Sequence, residues 1–89
     1  MKERAVEIPE AFKRQVKERC DSLDRFDEYF EGLCHELRIN PTLFASQHTP
    51  DIPRYARILG DDDVWWRCLV EWYVDRDTVT LLSIYRVRD

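Results

Sequence analysis

The amino-acid sequence predicts one α+β domain, in which a short N-terminal strand and an antiparallel helical hairpin precede a three-stranded antiparallel meander. Apolar residues recur at helical spacing between positions 9 and 40, whereas residues 54–89 read as strands rich in aromatic and β-branched residues. A chain of 89 residues builds a single hydrophobic core, and an apolar content of 44% is ample for it. We therefore expect residues 1–89 to form a single domain.

The first helix is expected to follow a short strand over residues 4–8, which places Val6 and Ile8 on one face. Pro9 suits the first turn of a helix, because the N–H group that proline lacks is not needed there. The helix then carries apolar residues three or four positions apart, which form its buried face: Phe12, Val16, Cys20 and Leu23.

The second helix is expected after a break at residues 21–24, with Ser22 or Asp24 as its N-cap. It ends at Asn40, because the residue before Pro41 resists the helical conformation. Residues 41–53 form a loop from which Leu43 and Phe44 are expected to pack on the core. The apolar positions of this helix again share one face: Phe26, Phe30, Leu33 and Leu37.

The meander is expected to use strands at residues 54–59, 64–74 and 78–87, separated by acidic turns. In the last strand, Tyr85 has the same parity as Val79 and Leu81, which favours a half-buried position. In the middle strand, alternate residues form an apolar face that we expect to pack on the helices: Trp66, Cys68, Val70, Trp72 and Val74.

The net charge is −4, and neither half of the chain is basic. This argues against strong nonspecific binding to nucleic acid, but it leaves a local cationic cleft open. The three cysteines contain no CxxC pair, so we expect neither a disulfide framework nor a zinc site, and a cytoplasmic location fits best. We see no signal peptide and no membrane-spanning run.

Trp65 and Trp66 are neighbours, so on a strand they point to opposite faces and one of them leaves the core. An outward tryptophan on a sheet is typical of a surface that a partner covers. This is the strongest sequence argument for a protein partner. A homodimer formed through the same patch is an alternative.

Three segments carry a resemblance to a known family: LRINP at 37–41, PRYARIL at 53–59 and WRCLVEWYVDRDTVTLLSIYRVRD at 66–89. With the predicted order of elements, they make the chain resemble the RelE/ParE toxin superfamily of toxin–antitoxin systems. The resemblance implies a cognate antitoxin and a metal-independent endoribonuclease that cuts messenger RNA on the ribosome, with no cofactor. The alternative is a non-catalytic ParE-like protein that binds DNA gyrase, or an inactive relative that acts only through protein contacts.

By position in that resemblance, Arg67 matches the family's strand arginine, and Arg86 or Arg88 matches the basic residue after the last strand. Arg57, or alternatively Arg54, takes the place of a lysine on the first meander strand.

In the catalytic interpretation, Arg67 binds the scissile phosphate and Glu71 acts as the general base for a ribose hydroxyl. The alternative is a surface ion pair between Arg67 and Glu71. Arg86 would complete the catalytic set, and Arg88 is expected to bind RNA, so that the two form a phosphate clamp. Ordinary surface charge or a docking site for the antitoxin are the alternatives for both.

Further RNA contacts are expected from Tyr85, which could stack on a base, and from one face of the first helix, formed by Lys13, Arg14 and Lys17. A solvated helix face is the default interpretation of those three cations. His48 lies in the loop, where an exposed histidine is expected and a role as an acid in the cleft is the alternative.

Overall fold

The computed structural model describes residues 3–42, 45–47 and 49–87, and within them it confirms an α+β domain. Two helices and five strands follow one another in this order: β1 (Ala5–Glu7), α1 (Glu10–Cys20), α2 (Phe26–Ile39), β2 (Ser46–Gln47), β3 (Arg54–Leu59), β4 (Cys68–Val74) and β5 (Thr78–Arg86). Leu43, Phe44, His48 and Arg88 lie outside the described residues.

The strands of the described chain form one mixed sheet in the order β1-β5-β4-β3-β2. Strands β3, β4 and β5 pair antiparallel in sequence order, but they are the middle of a larger sheet and not a separate three-stranded meander. The two-residue strand β2 adds to β3, and β1 pairs with β5 in parallel. The β1 edge depends on pairing between segments at opposite ends of the chain, which local alternation does not reveal.

Both helices bury the faces that the sequence predicts. Phe12, Leu33 and Leu37 are at most 2% exposed, and they join a core formed by the inner face of β3–β5. Phe12 stacks on Phe30 with ring centroids 5.9 Å apart, which ties α1 to α2. Trp72 is buried beneath them and donates its indole N–H to the carbonyl of Pro41 at 2.9 Å.

The helix boundaries differ from expectation at their N-terminal ends. Pro9 is the N-cap of α1 and not a residue of its first turn. The N-cap of α2 is Arg25, which has a left-handed φ of 58°, and neither Ser22 nor Asp24 takes that role. The connection is set by burial, because Leu23 and Phe26 both enter the core and fix the turn between them.

Strand β4 begins at Cys68, so the predicted strand over residues 64–74 is too long. Residues 60–67 form a loop, here called the β3–β4 loop. Trp66 in this loop is still 2% exposed, since its ring packs against Phe26 and Tyr29. The alternation of buried residues therefore extends beyond the strand, and it makes the loop resemble a strand in the sequence.

Strand β5 contains an irregularity that reverses its alternation. Glu71 pairs with Ser83 whereas Trp72 pairs with Leu81, so Leu82 has no partner opposite it in β4. Such a bulge turns every later side chain to the other face. Ile84 becomes fully buried and Tyr85 faces outward with 46% of its surface exposed, so the expected place of Tyr85 in the core is wrong.

Candidate nucleic-acid interface

The end of β5 carries a group of two arginines and two exposed aromatic rings, which we call the arginine–aromatic cluster: Arg19, Trp65, Tyr85 and Arg86. The guanidinium of Arg86 lies 5.4 Å from the ring centroid of Trp65, and that of Arg19 lies 4.8 Å from the centroid of Tyr85. Trp65 is 63% exposed, so the described chain leaves much of its surface open to a ligand.

Neither arginine of the cluster is neutralised within the part of the chain that the structure describes. No carboxylate of residues 3–42, 45–47 or 49–87 lies within ion-pairing distance of Arg19 or Arg86. The cluster is therefore a local positive surface on a protein whose net charge is −4. A guanidinium held on an aromatic face keeps its N–H groups free for an anionic ligand.

The β3–β4 loop positions Trp65, and it is anchored at its beginning. Gly60 has a φ of 111°, and a Cβ there would lie 2.6 Å from the carbonyl oxygen of Trp66. Next in the chain, Asp61 accepts a 2.6 Å hydrogen bond from the hydroxyl of Tyr29 and a 2.8 Å bond from the backbone N–H of Asp63. These contacts fasten the loop to α2.

The same contacts perturb the titration of the two side chains. The hydrogen bond from Tyr29 and the bond from the Asp63 N–H hold the pKa of Asp61 below its ordinary value. The hydrogen bond to Asp61 raises the pKa of Tyr29 to about 12. Both shifts favour the protonated phenol and the ionised carboxylate, which is the state in which the anchor forms.

Arg67 also holds the loop. It donates to the carbonyl oxygens of Val64 and Trp66 at 3.0 and 2.9 Å, and it lies 3.5 Å from a carboxylate oxygen of Asp62. It is not on a strand, and its acidic neighbour is Asp62, so the expected ion pair with Glu71 is not formed. The predicted role of Arg67 in phosphate binding would compete with these contacts.

Glu71 lies on the outer face of β4 and is occupied on both oxygens. Ser83 donates its hydroxyl to one oxygen at 2.8 Å, and Arg54 pairs with the other at 3.1 Å. A general base must reach the hydroxyl that it deprotonates. Glu71 would have to release one of these donors before it could serve as the base.

Arg19 belongs to α1, and its side chain lies along the edge of β5. Strand β1 pairs with β5 only as far as Thr80, and no other strand of the described residues pairs with the rest of that edge. Gln15 and Arg19 occupy part of this space. The side-chain oxygen of Gln15 accepts the backbone N–H of Ile84 at 3.0 Å, and Arg19 donates to the carbonyl oxygen of Ile84 at 2.8 Å.

Two buried thiols lie beneath the cluster. The hydrogen bond with Cys68 and burial raise the pKa of Cys20, while the nearby charges of Arg86 and Arg19 act in the opposite direction. Both guanidiniums are thus close enough to Cys20 to influence it. The two cations therefore converge on the same end of the molecule, where α1 ends and β4 begins.

The other predicted RNA-binding residues that the structure describes lie elsewhere. Arg57 faces the helix side of β3, where it pairs with Glu36. Lys13 is exposed and lies 3.4 Å from Glu10, while Arg14 and Lys17 are exposed on α1. Arg86 and Tyr85 are neighbours at the end of β5, where each pairs with a different member of the cluster, and Arg57, Lys13, Arg14 and Lys17 lie on other surfaces. Their roles stay predictions.

Arg19 is the member of the cluster that the sequence did not indicate. Its spacing of four residues from Gln15 places both on one helix face, but nothing local shows that this face meets a strand edge. Arg19 is therefore recognisable only once β5 is in place.

Comparison of the chain with protein-family models, with curated proteins and with solved structures finds no significant match. Among the described residues, no group of three or more histidine, cysteine, aspartate or glutamate side chains is arranged to hold a metal ion. Neither α1 nor α2, the helices of the described chain, combines the length and hydropathy needed to cross a bilayer.

Proposed function

We propose that this protein is a toxin of the RelE type that binds single-stranded RNA, such as messenger RNA on the ribosome, through the arginine–aromatic cluster. The observation that carries the proposal is the pairing of two arginines, which no described carboxylate neutralises, with two exposed aromatic rings. Single-stranded RNA offers flat bases to the rings and phosphates to the guanidiniums, so it matches both halves of the cluster.

The local character of the positive surface is consistent with the acidic composition of the chain. A protein of net charge −4 gains little affinity from nonspecific electrostatic contacts with many phosphates of a nucleic acid. A short cluster can still bind RNA if stacking on Trp65 and Tyr85 supplies part of the affinity, since one stacked base contributes about 1–3 kcal/mol. We therefore expect the aromatic rings to contribute as much to the free energy of RNA binding as the arginines do.

Cleavage of the bound RNA is the second part of the proposal. Arg86 is the best placed of the three expected catalytic residues, because its guanidinium lies over the exposed ring of Trp65 and has no ion-pair partner among the described residues. Arg67 and Glu71 are engaged by neighbouring groups, so each would act in catalysis only after a rearrangement. An antitoxin that covers Trp65 and Arg86 would block RNA binding directly.

A second candidate function is supported by the outer face of the sheet. Ile58 and Tyr73 are 46% and 40% exposed there, and Ile58, Leu69 and Ala56 line a shallow hollow of about 450 Å³. An exposed apolar surface of this kind is typical of protein contacts. It favours the non-catalytic alternative, in which the chain acts on a protein such as DNA gyrase.

Induced expression in a bacterial host tests the proposal, with growth, protein synthesis, messenger RNA integrity and DNA breaks followed together. We expect growth arrest with loss of protein synthesis, and relief of the arrest by Arg86→Ala and by Trp65→Ala. Arg76→Ala is the matched control, because Arg76 is an exposed arginine just before the other end of β5.

Each outcome separates the candidates. Arrest that Arg86→Ala relieves, with messenger RNA cut in the wild type, supports the cleaving toxin. Arrest with intact messenger RNA and broken DNA would replace it with the gyrase-binding alternative. Expression without any effect on growth or translation would contradict both toxic functions.

A further inference from the structure

The hydrogen bonds of Arg19 divide its guanidinium into an occupied side and a free side. Nη1 carries two N–H groups, and both are used, one by the side-chain oxygen of Gln15 at 3.1 Å and one by the carbonyl oxygen of Ile84 at 2.8 Å. Within the described part of the chain, neither Nε nor Nη2 has a hydrogen-bond partner. These two nitrogens form the planar fork that binds phosphate with two parallel hydrogen bonds.

The fork is held in place before any ligand arrives. Gln15 bonds to Arg19 and to the backbone of Ile84 with the same oxygen, and the guanidinium rests on the ring of Tyr85. An arginine that is already ordered loses less conformational entropy on binding. Tyr85 is 46% exposed, so a base can approach the ring beside the fork.

We infer that Arg19 and Tyr85 form a nucleotide subsite, in which Arg19 binds a phosphate through Nε and Nη2 and Gln15 is the positioning residue. The inference rests on the proposed RNA-binding function and adds a contact on α1 to it. The ligand chemistry is a phosphate joined through a ribose to a flat base, which a free nucleotide and an RNA chain share.

Nuclear magnetic resonance of the Arg19 Nε–Hε group tests the subsite without requiring toxicity. The intact chain is titrated with uridine 5′-monophosphate, and separately with inorganic phosphate and with uridine. Arg19→Lys assigns the resonance, because lysine lacks this group. The Nε–Hε resonance of Arg76 is the internal control, since Arg76 is exposed and lies outside the cluster.

We expect uridine 5′-monophosphate to shift the Arg19 resonance at lower concentration than inorganic phosphate does, while uridine alone has little effect. Gln15→Ala should weaken nucleotide binding by about 2- to 10-fold, the cost of immobilising one long side chain. Tyr85→Ala should remove the preference for the nucleotide over inorganic phosphate. That loss of preference is a readout that a purely structural role of Tyr85 would not produce.

An equal shift at Arg76, or no shift at Arg19 with high nucleotide concentration, overturns the inference. An unchanged affinity in Gln15→Ala removes Gln15 as the positioning residue. A titration with a uridine oligonucleotide distinguishes a free nucleotide from an RNA chain as the ligand. An oligonucleotide should contact Arg19 and Arg86 together and bind more tightly than one nucleotide does. Nucleotide binding at Arg19 without toxicity keeps the subsite and rejects the proposed function, whereas Arg86-dependent toxicity without that binding does the reverse.

Discussion

The arginines around the sheet fall into two settings, and the contrast between them decides which are available to a ligand. Along β3 and the β3–β4 loop, Arg54, Arg57 and Arg67 each lie beside a carboxylate, which belongs to Glu71, Glu36 and Asp62 respectively. At the end of β5, Arg19 and Arg86 lie against aromatic rings. The first group is paired with carboxylates. In the second group, Arg86 has no described ion-pair partner, and Arg19 bonds to Gln15 and to the edge of β5 through Nη1 alone.

This contrast shows that the position of an arginine in the sequence does not determine whether its guanidinium is available to a ligand. Arg67 precedes β4 and matches the expected catalytic position, but its hydrogen bonds go to the loop that carries it. Arg86 is opposite Cys68 at the end of the sheet, and it bonds to no described carboxylate. Substitution of Arg67 should therefore affect mainly stability, whereas substitution of Arg86 should affect mainly ligand binding.

The largest expected effect on stability comes from the loop that supports Trp65. Gly60→Ala places a Cβ 2.6 Å from the carbonyl oxygen of Trp66 at a φ of 111°, which should cost about 2–3 kcal/mol. Gly32→Ala is the matched control, because Gly32 is in α2 and a Cβ there meets nothing within 4 Å. That change should stabilise the protein by about 0.5–1 kcal/mol.

Urea denaturation of the two glycine variants measures the difference. A neutral or stabilising effect of Gly60→Ala would show that the β3–β4 loop does not need this conformation. The positioning of Trp65 by the loop would then lose its structural basis.

A smaller effect separates the two kinds of arginine. Arg67→Ala removes two hydrogen bonds to loop carbonyls and should lower the free energy of unfolding by about 1–2 kcal/mol. Arg86→Ala removes a contact at the surface and should change the free energy by no more than about 0.5 kcal/mol. Equal losses in denaturation experiments would contradict the division into structural and available arginines.

The smallest expected effect is a pH dependence of the anchor between Tyr29 and Asp61. Folding lowers the pKa of Asp61. Its contribution to folding stability is therefore present above the ordinary pKa of a carboxyl group, and it is lost as the pH falls through the lowered pKa. Folding raises the pKa of Tyr29 to about 12, so its contribution to stability is complete below its ordinary value of 10.0 and is lost as the pH rises toward 12.

Thermal unfolding of the wild type and Tyr29→Phe tests this anchor. The variant should have a lower Tm at neutral pH, and the difference should shrink in strong acid and in strong base. A difference that stays constant across the whole range would mean that the Tyr29 hydroxyl does not contribute through Asp61.

Much of the fold was accessible from the sequence because burial follows the period of each element. Most inward residues of both helices and the apolar set from Trp66 to Trp72 are buried as predicted, whereas Val16 and Phe30 are partly buried against the core. The sequence extends the strand into residues 64–67 of the β3–β4 loop, because the tryptophans there continue the same alternation. The parallel pairing of β1 with β5 depends on contacts across the whole chain, and no local pattern signals it.

The candidate site was less accessible for a different reason. A single unpaired residue at Leu82 turns Tyr85 outward, and such a bulge has no clear sequence signal. The ion pairs of Arg54 and Arg57 depend on strand register and on helix placement, so they could not be assigned in advance. Arg86 and the outward Trp65 were identified, whereas Arg19 was missed, because the edge that it covers exists only in the folded protein.

Direct binding of single-stranded RNA tests the central claim, that Arg86 and the cluster around it are the RNA-binding surface. Fluorescence anisotropy with a labelled uridine oligonucleotide should show binding by the wild type and about tenfold or greater weakening in Arg86→Ala, with Arg76→Ala unchanged. The slope of the logarithm of the binding constant against the logarithm of the salt concentration should become shallower by about 0.7 in Arg86→Ala, which is the contribution of one phosphate contact. Absence of binding by the folded wild type, or equal weakening in Arg76→Ala, would contradict the account.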